Sequence, residues 1–154
     1  MLGILFYACE RDDICAESTV TTPRLIIEFY DVNNPSDTRN VRNLSIREVG
    51  NDTAILFSSG SSISVPLRTN AIETSYVFTL NSLAEGGGLI DTLRFSYATE
   101  EIYVSRACGF KVNFVDFRAR QQPTNNPNEN WIRNIQVLEN TIENESEPHM
   151  FMFY

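Results

Sequence analysis

Long apolar runs and clustered basic residues are both missing from this chain. A membrane-spanning helix needs about 20 consecutive apolar residues, and the sequence contains no such stretch. The basic residues are eleven arginines and one lysine, scattered along a chain of formal charge −8. Because nucleic-acid binding normally requires a clustered basic face, we expect no nucleic-acid partner. Any attachment to a membrane should be through a lipid.

Histidine is nearly absent, which argues against several kinds of catalytic site. A Ser-His-Asp triad would have to use His149, the single histidine. Acid–base chemistry could use Asp91, Glu100, Glu101 or Asp116, but the sequence gives no reason to pair any two of them, as glycoside hydrolysis requires. We therefore predict no catalytic residues and no enzymatic activity.

The spacings that hold metals and phosphates are also missing. The three cysteines do not form the close pairs of a zinc site, and the triple glycine at 86–88 lacks the lysine and Ser/Thr of a P-loop. The loops at 31–37 and 125–129 are rich in side-chain oxygens, but neither has the D-x-D-x-D-G pattern of a calcium loop. We interpret both as Asn-rich turns and expect no metal and no cofactor.

Short segments rich in β-branched and aromatic residues recur between turns, which predicts an all-β fold. Their number and spacing favour an antiparallel β-sandwich of about nine short strands, with a β-barrel as the alternative. The predicted strands are 24–30, 44–48, 54–57, 63–67, 76–80, 89–97, 102–104, 110–117, 131–138 and 150–154, with turns that include 58–61 and 98–101.

Three details of this prediction are specific. Pro66 cannot donate a ladder hydrogen bond, so its strand should lie at a sheet edge or end there. The apolar phase slips by one residue after Phe114, which predicts a β-bulge nearby or a strand buried on both faces. Trp131, Ile135 and Leu138 have helical spacing, but their segment is rich in β-branched residues and Asn, so we favour a strand.

The sequence around Cys9 indicates where the protein is located. It follows the apolar run at 2–8, which ends in the small residue Ala8, and charged residues follow it at once. This order is typical of a bacterial lipoprotein signal, in which the cysteine becomes the lipidated first residue; the alternative is an ordinary buried strand. We interpret residues 1–8 as the remnant of a signal peptide, 9–23 as a tether and 24–154 as a single β-sandwich domain.

An expectation for the other two cysteines follows from this interpretation. Three cysteines are an odd number, and lipidation of Cys9 leaves Cys15 and Cys108, which we expect to pair in an exported protein. The alternatives are a bridge between Cys9 and Cys15, or three reduced thiols in a cytosolic protein.

Two residues are candidates for ligand binding. Arg106 would share a strand face with Cys108 if that strand is regular, and its planar guanidinium could bind a carboxylate, although such an arginine more often pairs with a nearby glutamate. Trp131, with Tyr97 and Tyr103, could form a platform for stacking on a sugar. Aromatic residues on strands are more often part of the core.

Four motifs and a C-terminal tail form a set that covers most of residues 9–154. The motifs are 14–16 (ICA), 21–31 (TTPRLIIEFYD), 66–69 (PLRT) and 103–109 (YVSRACG), and the tail runs from Trp131 through 143–145 (ENE) to His149. This set resembles an uncharacterised family of Bacteroidota lipoproteins. The family is a domain of unknown function, so the resemblance implies location and architecture only, with Cys9 as the lipid site and Cys15 paired with Cys108.

We therefore expect a domain anchored by lipid in the cell envelope, at the outer membrane, that acts as a binding or interaction module for protein or glycan. The alternatives are a small envelope hydrolase that uses carboxylates and a structural accessory subunit of an outer-membrane complex. A binding module should expose an aromatic or apolar patch on the order of several hundred Å². A hydrolase should have a cleft with two carboxylates, and an accessory subunit a long unpaired edge strand.

Overall fold

The computed structural model describes residues 14–154, which form an all-β fold. One turn of 3-10 helix, Pro127–Glu129, is the exception among the named elements. The nine strands of these residues are β1 (Leu25–Tyr30), β2 (Val41–Glu48), β3 (Ala54–Gly60), β4 (Ser62–Val65), β5 (Glu73–Leu80), β6 (Leu89–Ser105), β7 (Gly109–Gln121), β8 (Asn134–Val137) and β9 (Met150–Phe153).

The strands form two sheets, as the sequence predicted. One has the order β4-β1-β9-β8, and the other, which is curled, has the order β3-β2-β5-β6-β7. Most neighbouring strands are antiparallel, but β1 and β9 are parallel, with Ile27 opposite Met150. A parallel pair requires a long crossover connection, and the strands from β2 to β8 supply it.

Alternating burial along the strands builds the core between the sheets. In β1 every second side chain is buried, and β5 shows the same alternation. Phe29 of one sheet and Phe78 and Phe95 of the other are fully buried, and burial of such a side chain stabilises the fold by roughly 1.5–3 kcal/mol. The two faces thus share one continuous core.

The three specific strand predictions are confirmed. Strand β4 ends at Val65, before Pro66, and lies at the edge of its sheet. The register between β6 and β7 shifts between Ser96 and Ala98, and Asp116 adopts a φ of 53°, so β7 contains a bulge two residues beyond Phe114. Residues within 131–138 form strand β8 rather than a helix.

The triple glycine at 86–88 forms a turn between β5 and β6. All three residues have positive φ, and a Cβ atom at Gly88 would lie 2.2 Å from the carbonyl oxygen of Leu80. Only glycine can allow this approach of the two backbones.

Two predicted turns are wrong, because strand pairing overrides local composition. Residues 58–60 continue β3, where Ser59 pairs with Arg42 and Gly60 with Val41. Residues 98–101 continue β6, which is a single strand of 17 residues, and Glu101 pairs with Val112 of β7. Gly, Ala and Glu have low strand propensity, but a partner strand that satisfies their backbone groups holds them extended.

Candidate functional site

Strands β6 and β7 continue beyond the core and form an extension that we call the arm (residues 98–113). Burial alternates along β6 as far as Tyr97, and every residue from 98 to 103 is exposed. The two strands remain paired across this exposed length, with Glu100 opposite Asn113 and Tyr103 opposite Phe110. A turn at 106–108 closes the arm. The exposed side chains of residues 98–103 and of Phe110 are therefore available for contacts with another molecule.

The N-terminal segment (residues 14–24) is fastened to the arm and to a loop near the C-terminal end of the chain. A disulfide joins Cys15 to Cys108 in the arm's turn, with the two Cα atoms 4.9 Å apart, which is within the usual range for such a bond. The backbone N–H of Val112 donates to the Thr22 hydroxyl at 3.0 Å. The segment is thus held at its start and near its end, and the expected Cys15–Cys108 pairing is present.

Arg24 provides the last attachment of this segment. Its Nε and terminal nitrogen donate to the two carboxylate oxygens of Glu145 at 2.9 and 2.7 Å, and its backbone N–H also donates to Glu145 at 2.8 Å. These hydrogen bonds lower the pKa of the Glu145 carboxyl, the side-chain bond from Arg24 having the largest effect. The Glu145 carboxylate therefore keeps these three hydrogen bonds at neutral pH.

Two large open cavities border the N-terminal segment, in addition to a smaller one of about 230 Å³ that lies between the segment and Phe110. One, of about 500 Å³, lies at the end of the arm between Ile14, Ala16, Tyr103 and Arg106. The other, of about 570 Å³, lies between residues 19–24 and residues 144–146. Thr19 borders both cavities, so they adjoin along one side of the segment.

An exposed aromatic pair marks the end of the arm. The rings of Tyr103 and Phe110 pack edge to face with centroids 5.4 Å apart, yet the two residues are 60% and 65% exposed. Closer to the core, Tyr97 and Phe114 of the same two strands form a similar edge-to-face pair that is buried. The outer pair therefore presents to solvent a surface that elsewhere in this hairpin is packed inside the protein.

Arg106 lies beside this pair, but not as the sequence predicted. Residues 106–108 are the turn of the arm rather than part of a regular strand, so the condition under which Arg106 and Cys108 would share a strand face is not met. Arg106 is exposed, borders the cavity of about 500 Å³ and forms no salt bridge with any residue of 14–154.

The prediction of a sugar-stacking platform at Trp131 is wrong, because the ring is part of the core. Trp131 is 4% exposed, its indole N–H donates to the carbonyl oxygen of Phe78 at 3.2 Å, and its ring packs edge to face against Tyr154. Tyr97 is buried as well, and its hydroxyl donates to the carbonyl oxygen of Arg68 at 2.8 Å. Of the three aromatic residues in that hypothesis, Tyr103 alone is on the surface.

The carboxylates considered for catalysis occupy different parts of the fold. Glu100 and Glu101 are adjacent in the exposed arm and so point to opposite faces of β6. Asp116 lies at the bulge in β7. Asp91 is buried in the core, where its Oδ2 accepts the backbone N–H of Ile132 at 2.8 Å. This environment holds a carboxylate in place beside the loop that leads into β8.

The two oxygen-rich loops use their polar side chains for hydrogen bonds within each loop. Asp31 accepts the backbone N–H of Asn33 at 2.8 Å, and this bond lowers the pKa of the Asp31 carboxyl. In the second loop the Asn126 amide donates to Glu129 at 2.7 Å. Both loops are the Asn-rich turns that were predicted. Among residues 14–154, no three His, Cys, Asp or Glu side chains form a group that could hold a metal ion.

Two buried polar residues have structural roles that the sequence did not reveal. His149 is 4% exposed, and its Nδ1 accepts the backbone N–H of Ile26 at 2.9 Å while its Nε2 lies 2.9 Å from the carbonyl oxygen of Asn144. Burial lowers the pKa of His149. Burial raises the pKa of Asp91, because desolvation outweighs the hydrogen bond from Ile132. The backbone N–H groups that they accept belong to residues far away in the sequence, Ile26 for His149 and Ile132 for Asp91. No local pattern could therefore have identified these contacts.

The aromatic pair was also missed, and here the sequence did contain a signal. Tyr103 and Phe110 alternate with other residues as core aromatic residues do, so each alone is typical of a buried strand position. The consecutive Glu100 and Glu101 place a carboxylate on each face of β6 shortly before Tyr103. A strand with charge on both faces is solvated, which indicates that its neighbours are exposed too.

These features define a class: an all-β protein of two sheets with a disulfide-bonded arm. Residues 43–154 match a family of unknown function, DUF6452, and the chain belongs to this family. No curated protein and no solved structure matches the chain. Strand β1 precedes the matched residues but lies between β4 and β9 in its sheet, so the fold extends beyond them. No helix within residues 14–154 is long and apolar enough to cross a membrane.

Proposed function

We propose that this protein is a lipid-anchored binding module of the bacterial cell envelope, attached to the outer membrane through Cys9. Cys9 and the apolar run at 2–8 lie outside the described residues, so the proposal starts from the other two cysteines. The disulfide uses Cys15 and Cys108. Of the three cysteines in the sequence, this leaves Cys9, the one that follows the apolar run.

The disulfide is the observation that carries this proposal. Disulfide bonds persist in oxidising compartments such as the periplasm and the cell surface and are rare in the cytosol. A chain that is exported and has its single unpaired cysteine directly after an apolar run fits the organisation of a lipoprotein. The charged residues that begin at Glu10 would then start the tether.

The end of the arm supports a role in binding. Exposed tyrosine and phenylalanine rings provide a large contact area with few rotatable bonds. Here Tyr103 borders a cavity of about 500 Å³ that Arg106 also lines, and Phe110 packs against Tyr103. The adjoining cavity of about 570 Å³ offers a second surface next to Arg24 and Glu145. A protein or a glycan are the two classes of ligand suited to these cavities.

Intact-mass measurement tests the anchor. The gene, with its own upstream sequence, is expressed in a bacterium that carries members of this family, beside a Cys9→Ser variant. A Cys15→Ser/Cys108→Ser double variant is the matched control, since it keeps Cys9. We expect membrane-fraction protein whose mass equals a chain starting at Cys9 plus a diacylglyceryl group and an acyl chain. This mass should persist in the control and disappear in Cys9→Ser.

The opposite result is equally clear. Recovery of the wild-type chain from the soluble fraction, unprocessed and with all three thiols reduced, would contradict both the anchor and the envelope location.

A further inference from the structure

We propose that the end of the arm rests on the lipid bilayer, with the rings of Tyr103 and Phe110 in its interfacial region. The inference rests on the lipid anchor at Cys9 proposed above and names the bilayer as the partner of the aromatic surface. It follows from the length of chain between the anchor and the disulfide, and from the chemistry of the surface that this short connection places near the lipid.

The connection from anchor to arm is short. Cys15 is bonded to Cys108 in the turn of the arm, and Cys15 lies six positions after Cys9, with five residues between them. A fully extended chain spans at most about 3.3–3.6 Å per residue, so Cys15 lies within about 20 Å of the lipidated residue. The polar headgroup layer is itself only about 5–8 Å thick on each side of a bilayer. The end of the arm is therefore held close to the membrane surface.

The rest of the domain is farther away. Strand β6 runs from Leu89 to Ser105, and a strand rises about 3.3 Å per residue, so its two ends are separated by roughly 50 Å. The turn at 106–108 is at the anchored end, and the triple-glycine turn at 86–88 is at the other. A lipid attached near the turn of the arm therefore brings this end of the molecule, rather than the core, to the bilayer.

The anchored end has the composition of an interfacial surface. Tyr103 and Phe110 are 60% and 65% exposed, and Ile14 beside them is 76% exposed. Aromatic side chains with a polar edge or hydroxyl favour the headgroup level of a bilayer, where the ring is shielded from water and the polar group stays hydrated. Residues 102–111 contain Arg106 and Lys111 but no carboxylate, so no acidic side chain of this segment has to approach the lipid phosphates.

A vesicle experiment tests the inference without relying on lipidation in the cell. With the disulfide intact, Cys9 is the remaining thiol of the full chain and can be coupled to a maleimide headgroup lipid in phosphatidylcholine vesicles whose acyl chains are dibrominated. Tyr103→Trp and Phe110→Trp are the probe variants, because bromine quenches tryptophan that reaches the bilayer. Wild-type protein gives the contribution of Trp131, which is buried.

Leu56→Trp is the matched control. Leu56 is 55% exposed, close to the value for Tyr103, and lies on β3 at the opposite end of the curled sheet. It is in register with Ser45, Thr79 and then Ile90, which is near the start of β6. We expect the added emission at 103 and 110 to fall by at least half in brominated relative to ordinary vesicles, and the added emission at 56 to be unchanged.

The outcomes separate this inference from the proposed anchor. Equal emission of all three variants in the two kinds of vesicle would overturn the bilayer contact, whatever the mass of the cellular protein. An unlipidated cellular chain would overturn the anchor, whatever the vesicles show. A photoreactive phenylalanine analogue at 103 gives a further test in cells: cross-linking to lipid supports the inference, and cross-linking to a protein in its place contradicts it.

Discussion

The Cys15–Cys108 disulfide should contribute a large part of the stability of this domain. The bond closes a loop with a sequence separation of 93 residues, and this loop contains strands β1 to β6. Removal of the bond by a Cys15→Ser/Cys108→Ser double substitution leaves the sheets unchanged but frees the unfolded chain from a long covalent constraint. The native state should therefore keep its fold and lose free energy of unfolding.

The magnitude follows from the loop length. In the chain-entropy account a crosslink removes about 2.1 + 1.5R ln n cal/mol/K of entropy from the unfolded chain, which for n near 93 amounts to roughly 4–5 kcal/mol at 25 °C. Domains of this kind commonly have a total free energy of unfolding of only about 5–15 kcal/mol. The double variant should accordingly be folded but markedly easier to unfold.

Urea unfolding followed by tryptophan fluorescence measures this effect. Trp131 is the only tryptophan and is 4% exposed, so its emission reports loss of the core between the sheets. Wild-type and double-variant proteins are compared under non-reducing conditions, with Cys9→Ser as the control that keeps the bond. We expect the control to match wild type and the double variant to lose about 4 kcal/mol.

A loss below about 1 kcal/mol would refute this reasoning. It would mean that the unfolded chain is already compact enough for the crosslink to restrict it little, and that the bond serves mainly to hold the N-terminal segment against the arm.

Three further predictions concern the polar contacts. The hydrogen bonds of His149 with Ile26 and Asn144 fit the neutral ring, and burial lowers the pKa of His149 below the usual 6.5. The contribution of this residue to the free energy of unfolding should therefore be complete above pH 6.5 and should decline as the pH falls through the lowered pKa. His149→Asn, whose side chain can still accept from Ile26 but cannot be protonated, should lack this decline in urea titrations across pH. Burial raises the pKa of Asp91 above its usual 3.8, so the native state binds the proton more readily than the unfolded state does. The stability of wild type relative to Asp91→Asn should therefore fall as the pH rises from 3.8 through the raised pKa. A difference that does not depend on pH would contradict this. Glu145→Ala should lower the free energy of unfolding by about 1 kcal/mol and Arg24→Ala by about half as much. The reason is that the Glu145 carboxylate also accepts the backbone N–H of residue 24, a hydrogen bond that Arg24→Ala retains. Equal losses of stability in thermal melts would show that this backbone hydrogen bond contributes nothing.

Much of the fold was predictable because it depends on alternating side chains. The period of two in β1 and β5 appears directly as alternating burial, and Pro66 at a sheet edge follows from its missing N–H. The bulge near Phe114 was readable for the same reason, since an extra residue shifts the apolar phase. These features are local, and a short window of sequence contains the information that determines them.

The remaining features depend on contacts between distant residues. The length of β6 was missed because the pairing of Glu101 with Val112 compensates for poor strand propensity. The parallel pairing of β1 with β9 joins residues more than a hundred positions apart. At the candidate site, Trp131 and Tyr103 are both aromatic residues in a β-rich context, yet one is buried and the other exposed. The length of β6 beyond the core decides this difference, and the adjacent Glu100 and Glu101 are its only local sign in the sequence.

The pairing of β1 with β9 also constrains the order in which the four-stranded sheet can form. Ile27 meets Met150 in the sheet, and the backbone N–H of His149 donates to the carbonyl oxygen of Ile26 at 2.9 Å. Strand β1 therefore cannot pair with β9, one of its two neighbours, until the residues of β9 have left the ribosome. Long-range pairing of this kind is intrinsically slow. During synthesis the four-stranded sheet stays incomplete, and it closes only after β9, its last strand, has been made.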